Sequence, residues 1–368
     1  MKILHVIDSL KSGGAEKLTT EIILKLKDYG ASVDILLLTD EGNVFHRVLE
    51  SNNISINVIP IKKMRSPHNI FYIYKLVKNE KYDIIHAHLF PATYWVSIVS
   101  LFIKFTNSKF VMTEHSTHNR RRNYRLFKIF DKFIYKKYDR VVSISRGVQR
   151  NLISWLNDSP ANKRFCVIEN GININHFKYA KEINKNEFEK FSNEIKYILC
   201  MIGRFTDSKD HDTVLRAMKR LPANIGLVLV GEGTLENKIR EKIIEYDLLN
   251  RVILLGFRQD VERIIKTSDI IIHSANWEGF GLAAVEGMAA GKPVIASNVE
   301  GLSEIIEGYG LLFSHSNDIE LSEIICKLTS NKEFYDEIAT KCSNRAKRYD
   351  IGNTAESYFN IYKEILKG

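Results

Sequence analysis

Short apolar runs alternate with helix-length amphipathic stretches along this whole chain, and that alternation leaves few architectures open. Runs rich in Val, Ile and Leu lie at residues 3–7, 33–38, 54–58, 84–87, 109–113, 140–143 and 166–168. A second series lies at 197–201, 226–230, 252–255, 270–273, 293–296 and 310–313. Continuous apolar runs belong to strands buried on both faces, and strands separated by helices belong to parallel sheets. The series restarts after a polar stretch at 178–194, which reads as the join between domains. The expected fold class is therefore α/β, with two doubly wound, Rossmann-like domains facing across a cleft. Ligands in such sheets bind beyond the carboxyl ends of the strands.

A chain of 368 residues has room for about two domains of ~100–200 residues each. Cys166, Cys200, Cys326 and Cys342 are scattered, with no Cys-x-x-Cys pair. That argues against a disulfide framework or a zinc site and fits a cytoplasmic setting. Met1 and Lys2 lead straight into the first apolar run, which reads as a buried strand and not as the core of a signal peptide. The most apolar long window, 89–105, contains Pro91 and Lys104 and falls short of the ~20 residues that span a bilayer.

The net charge of +9 is unevenly placed. Residues 1–173 carry 27 Lys and Arg against 15 Asp and Glu, a net of +12, whereas residues 174–368 carry 26 against 29, a net of −3. The first half therefore suits an anionic partner: a membrane surface, a lipid pyrophosphate or nucleic acid.

The most chemistry lies in Trp277-Glu278-Gly279-Phe280-Gly281-Leu282-Ala283-Ala284-Val285-Glu286, which runs on to Gly291 and Pro293. The Gly-Phe-Gly turn offers backbone N–H groups at a helix N-terminus, where the dipole favours an anion. Glu286, about one turn further in, can accept hydrogen bonds from hydroxyls of whatever carries that anion. A diphosphate joined to a ribose is the natural ligand. A second phosphate element is Gly203-Arg204-Phe205-Thr206-Asp207-Ser208-Lys209-Asp210, where the arginine can grip a pyrophosphate bidentately and the lysine acts as a point charge. His115, at the end of the run 109–113, and His86 and His88, which alternation puts on one face of a strand, are further candidates. No Gly-x-Gly-x-x-Gly fingerprint of a dinucleotide dehydrogenase is present.

A predicted amphipathic helix over 120–138 places Arg121, Arg125, Lys128, Lys132 and Lys136 within about 80° of one another. Phe127, Phe130 and Ile134 fall on the opposite side, as if packed on the domain. No acid interrupts the basic stripe, where a merely soluble face would mix signs. It suits lipid headgroups or the pyrophosphate of an acceptor.

Together these motifs resemble the retaining glycosyltransferases of family 4, which have the GT-B fold. Glu278 and Glu286 match that family's Glu-x7-Glu signature, and Arg204 and Lys209 match its Gly-Arg…Lys element, with Asp210 where the family usually has glycine. The resemblance implies domains at 1–173 for the acceptor and 174–353 for the nucleotide sugar, with residues 354–368 forming a helix that crosses back to the first domain. It implies that Gly13 and Gly14 approach the donor phosphates, that His115 and Glu278 contact the donor sugar, and that Gly256-Phe257-Arg258 lies near the base. Gly203, Gly279, Phe280, Gly281 and Leu282 complete the expected donor site, and His115, Glu278, Lys209 and Arg204 the catalytic set. The expected reaction moves a sugar from a UDP-linked or GDP-linked donor, UDP favoured, to a glycan or lipid-linked acceptor in cell-surface polysaccharide or glycolipid assembly. It proceeds with retention and without metal or other cofactor. The expected place is the cytoplasm, with peripheral contact to an anionic membrane. A sugar epimerase or phosphorylase on the same fold is the rival reading. A nucleic-acid binder is disfavoured because no aromatic platform or groove-reading helix is evident.

Overall fold

The computed structural model describes residues 1–103, 107–117, 119–184, 188, 191 and 194–367. Lys104 and part of the polar stretch 178–194 lie outside the described residues. The chain divides into two compact units: Met1–Gly171 with Ile351–Gly368, and Ile172–Asp350.

The first unit holds β1 (Lys2–Ile7), β2 (Ser32–Leu37), β3 (Ser55–Val58), β4 (Ile84–His88), β5 (Lys109–Glu114), β6 (Arg140–Ser143) and β7 (Phe165–Val167). They form one parallel sheet in the order β3-β2-β1-β4-β5-β6-β7. Alternation along each strand splits the core between two faces. Leu4, Val6, Ile85, Ala87 and Met112 pack on one side. Ile3, Ile7, Ile84, Val111 and Val142 pack on the other, where Tyr358, Tyr362 and Ile365 of the last helix join them. That helix, Ile351–Lys367, begins three residues ahead of the expected start at Thr354.

The second unit holds β8 (Tyr197–Ile202), β9 (Ile225–Val230), β10 (Val252–Leu254), β11 (Ile270–His273), β12 (Val294–Ser297) and β13 (Leu311–Phe313). Its parallel order is β10-β9-β8-β11-β12-β13. Strand order therefore reverses between β1 and β4 in one sheet and between β8 and β11 in the other. At such switch points the following loops diverge and leave a crevice at the strands' carboxyl ends.

The basic helix departs from its sequence reading. The expected single helix over 120–138 is a short 3-10 turn, Arg120–Asn123, an extended Tyr124, and then a helix Arg125–Tyr135. The break takes Arg121 off the stripe. It is 9% exposed, it lies over the rings of Phe90 and Tyr94, and its Nη1 is 3.8 Å from the fully buried Asp131. Asp131 also accepts from Tyr94 Oη and, at 2.8 Å, from Trp155 Nε1. Arg121 thus compensates a buried carboxylate and is not available to a surface partner. Phe130 moves the other way: it is 52% exposed, alongside Leu126 at 65%, Ile129 at 68% and Phe133 at 48%. The helix packs through Ile134, as expected, together with Asp131 and Tyr135. Among the described residues no helix is long and apolar enough to cross a membrane.

Candidate active site

At the β8/β11 switch point the loop that leaves β8 is stitched to the loop that leaves β11. Asp210 N donates to Ser274 O at 3.3 Å, Asn276 N to Ser208 O at 3.0 Å, and Asn276 Nδ2 to Asp207 O at 2.6 Å. Asp210 explains its own departure from glycine. Its carboxylate caps the helix His211–Arg220, accepting from Thr213 N at 3.2 Å and Thr213 Oγ1 at 2.6 Å. The cap fixes the residue just before it, Lys209. Its Nζ donates to Glu278 Oε2 and lies 2.8 Å from His273 Nε2, which is itself 3.0 Å from the same carboxylate oxygen.

Burial acts to raise the Glu278 pKa, but the Lys209 charge and the His273 contact outweigh it and hold the carboxyl well below its ordinary range. Burial and the Lys209 charge depress His273 against the pull of the Glu278 carboxylate, so its ring is neutral, with Nε2 set between the ammonium and the carboxylate. The three groups form a compact, mutually neutralised cluster of one cation, one ionised acceptor and one neutral ring.

Glu278 Oε1 accepts from Gly279 N at 2.9 Å and ties the cluster to the next turn. Gly281 starts the helix Leu282–Ala289 in the left-handed region, φ 98°, and a Cβ there would collide with Leu302 Cδ2. The first N–H groups of that helix have no partner within it. Glu286 sits one turn in and is buried. The Phe280 side chain is 3% exposed and packs edge-on to Tyr349, ring centroids 5.4 Å apart. Only its main chain is available to a ligand.

Arg204 is exposed in the same loop as Lys209. Arg258 is bound to its own neighbour, with Nε and Nη2 each 2.7 Å from an Asp260 carboxylate oxygen. Gly203, Arg204, Lys209, Arg258 and Glu278–Glu286 all belong to the second unit, whereas Gly13, Gly14 and His115 belong to the first. Gly13 precedes the helix Gly14–Asp28 in an extended conformation, and the Glu16 carboxylate occupies the space a Cβ would need.

The β1/β4 switch point of the first unit is lined by histidines. His5 faces His86 in register, and His86 and His88 share its side of the sheet. His5 Nδ1 lies 2.9 Å from His88 Nε2, and His88 Nδ1 lies 3.2 Å from His115 Nε2. His86 is held separately, with Nδ1 2.5 Å from Tyr362 Oη and Nε2 2.8 Å from Thr113 Oγ1. Burial lowers the pKa of His5 to about 3 and of His115 to about 4; burial, with help from neighbouring rings, puts His86 and His88 well below the usual value. Ring nitrogens of His5, His86 and His88 lie within 4.8 Å of one another, the spacing of a metal site. The donor set fits one poorly: both nitrogens of His86 and of His88 are already engaged, and no carboxylate joins them to offset a buried ion's charge.

Sequence reasoning passed over four contributors. His273 had a signal, as the polar end of an otherwise apolar run five residues before Glu278. Gly231 and Gly233 had a weaker one, a Gly-x-Gly just past β9. Gly231 has φ 141°, and a Cβ there would strike the Gly203 carbonyl, so these glycines let two loops lie against each other beneath the site. His5 had none, because a polar residue inside a strand gains meaning only once its neighbour strand is known.

Comparison with known proteins gives this geometry a context. The Glycosyl transferases group 1 profile matches residues 182–349, and the Glycosyltransferase Family 4 profile matches residues 12–176. The UDP-Gal:alpha-D-GlcNAc-diphosphoundecaprenol alpha-1,3-galactosyltransferase of Escherichia coli is 27% identical, over 94% of this chain and 87% of its own. The N-acetylgalactosamine-N,N'-diacetylbacillosaminyl-diphospho-undecaprenol 4-alpha-N-acetylgalactosaminyltransferase of Campylobacter jejuni is 25% identical over 94% of each chain. The crystal structure of Anabaena HepE in complex with UDP and glucose shares the fold, with a TM-score of 0.86 at 22% identity over 99% of this chain and 100% of its own.

Proposed function

This chain belongs to the family 4 glycosyltransferases of the GT-B fold, and on that premise we propose that it moves a sugar, with retention and without a metal ion, from a UDP-linked donor to a lipid-linked glycan. The observation that carries the reading is the Lys209–His273–Glu278 cluster at the β8/β11 switch point. A donor diphosphate takes Lys209 over from Glu278. Arg204 and the main-chain N–H groups around Gly281 complete its neutralisation, the work a divalent cation performs elsewhere. Glu286 holds the ribose. Glu278, ionised at neutral pH, then accepts from the hydroxyls of the donor sugar. His115 contacts the same sugar, Gly13 and Gly14 approach the phosphates, and the base lies by the loop that carries Arg258.

The acceptor hydroxyl attacks the anomeric carbon on the face the diphosphate leaves. The bond to the phosphate oxygen breaks, and that oxygen takes the hydroxyl's proton. The donor named for the Escherichia coli relative supports UDP, and the diphosphoundecaprenol in both relatives' names supports a lipid-linked acceptor in polysaccharide or glycolipid assembly. For the membrane, the support is the helix Arg125–Tyr135. Arg125, Lys128, Lys132 and the adjoining Lys136 flank the exposed Leu126, Ile129, Phe130 and Phe133, an arrangement suited to a peripheral stay on an anionic, cytoplasmic leaflet.

Thermal unfolding with UDP or GDP tests the donor site. A nucleotide at 100 times its Kd stabilises by about 2.7 kcal/mol. UDP is expected to raise the melting temperature of the wild type but not of Lys209→Ala or Glu286→Ala; an equal rise in all three, or a rise with GDP alone, sinks the assignment. Sedimentation with anionic vesicles tests the surface. Arg125→Glu with Lys128→Glu and Lys132→Glu is expected to abolish binding, as is Leu126→Ser with Phe130→Ser, and unchanged pelleting removes the membrane from the account.

A further inference from the structure

We propose that His211 is a positioning residue: its Nδ1–H holds the Lys209 carbonyl, and through that bond it sets where the Lys209 ammonium points. The use of that ammonium on a donor diphosphate rests on the function proposed above; the bond and the locked peptide do not.

His211 opens the helix His211–Arg220, directly after the capping residue Asp210. Its ring is 3% exposed and meets the fully buried Phe205 edge-on, centroids 5.0 Å apart and planes at 86°. Nδ1 lies 3.3 Å from Lys209 O, and the enclosed Nε2 has no partner among the described residues. Burial lowers the pKa to about 4, so the ring is neutral at ordinary pH and carries a single N–H. A carbonyl oxygen only accepts, so the two tautomers are not equivalent. With the proton on Nε2, lone pairs would face each other across the gap to Lys209 O, and a buried N–H would have nothing to receive it. With the proton on Nδ1, donor and carbonyl satisfy each other and only a bare lone pair stays unfilled. An unpaired buried donor is the costlier fault, and the Nδ1 tautomer avoids it altogether.

The bond completes a lock on one peptide plane. The peptide between Lys209 and Asp210 is held at both ends, its C=O by His211 Nδ1 and its N–H by Ser274 O, each at 3.3 Å. Lys209 N donates to Thr206 O at 2.9 Å. The lysine stem lies against Gly203, where a Cβ would come within 3.1 Å of Lys209 Cε. Main chain and stem are thus both fixed, and together they bring the ammonium to Glu278 and His273. Asp210 already caps the helix through Thr213. The reach of His211 back past that cap therefore serves the loop and not the helix.

Nitrogen NMR of the whole protein labelled with 15N-histidine reads the tautomer directly, with the ring assigned by its loss in His211→Asn. Pyrrole-type Nδ1 and pyridine-type Nε2 are expected; the reverse overturns the proposal in the wild type itself. His211→Leu removes the donor, whereas His211→Asn puts an amide N–H near the place of Nδ1. Hydrogen exchange then reads the lock without any ligand. The Asp210 amide is expected to exchange about tenfold faster in His211→Leu, the scale of one lost hydrogen bond, and to return toward the wild-type rate in His211→Asn. One rate in all three proteins overturns the proposal. Steady-state kinetics with a UDP-sugar reads the consequence. His211→Leu is expected to lower kcat/KM for the donor about tenfold, with rescue by His211→Asn and no further loss when added to Lys209→Ala. Losses that add in the double variant would show that His211 acts by packing and not through Lys209. A wild type inactive on UDP-sugars removes the donor reading, and the exchange rates still decide the lock.

Discussion

At the β8/β11 switch point the meeting groups are an ammonium, a carboxylate and an imidazole, whereas at the β1/β4 switch point they are imidazoles alone. The two sheets share one topology and reverse at equivalent places. The first kind of cluster can exchange an internal counter-ion for an external one, because Lys209 and Glu278 remain partly reachable by solvent. The second holds no charge and can only direct hydrogen bonds. One fold thus builds a charged cluster in one sheet and a neutral one at the equivalent place in the other.

The comparison breaks if the two sites respond alike. Lys209→Ala is expected to cut transfer by about 100- to 1,000-fold, the scale of losing a group that stabilises developing charge. His5→Leu is expected to cost roughly tenfold, since it acts through two rings. Steady-state kinetics with folded protein checks both, and equal losses would dissolve the distinction.

Next in size is a contrast among the first unit's cations. Arg121→Ala is expected to destabilise by about 3 kcal/mol, because Asp131 is left buried without its compensating charge. Arg125→Ala is expected to stay within about 0.5 kcal/mol. Urea unfolding of the two variants measures the difference.

The smallest effect per side chain is on acidification. His5, His86, His88 and His115 have folded pKa values below the unfolded value, so the unfolded chain binds more protons once pH drops below about 6.5. Stability is therefore unaffected above that pH and declines beneath it, down to about pH 4 for His115 and about pH 3 for His5, by on the order of 1 kcal/mol per histidine at pH 5.5. The second unit contributes the same way through His211 and His273. Its Glu278, depressed well below the ordinary carboxylate value, keeps its contribution until the solution is far more acid. Hydrogen exchange at pH 7.5 and 5.5 should show protection falling further in the first unit; a larger fall in the second contradicts the assignment of charges.

The thirteen strands among the described residues were legible because residues such as Ile84-Ile85 and Ile270-Ile271-Ile272 are buried on both faces, and burial on both faces leaves an unbroken apolar run. The Gly203–Lys209 loop and the Glu278–Glu286 turn were legible for a related reason: each follows a strand at once, so few residues separate sheet from site. What escaped was decided by contacts remote in sequence. Nothing local marks Arg121 as the partner of Asp131, or turns Phe280 toward Tyr349 and Phe130 toward solvent. The break at Tyr124 could not be read from a periodicity that treats 120–138 as one rod.

The helix Ile351–Lys367 has a consequence for the order in which the molecule is made. It lays Tyr358 and Tyr362 over the histidine side of the first sheet, yet it leaves the ribosome after all of Ile172–Asp350. At about 5–20 residues per second, the nascent first sheet waits roughly ten to forty seconds for its cover. The second unit, encoded without interruption, can mature during that wait, so the portion translated first is the portion completed last.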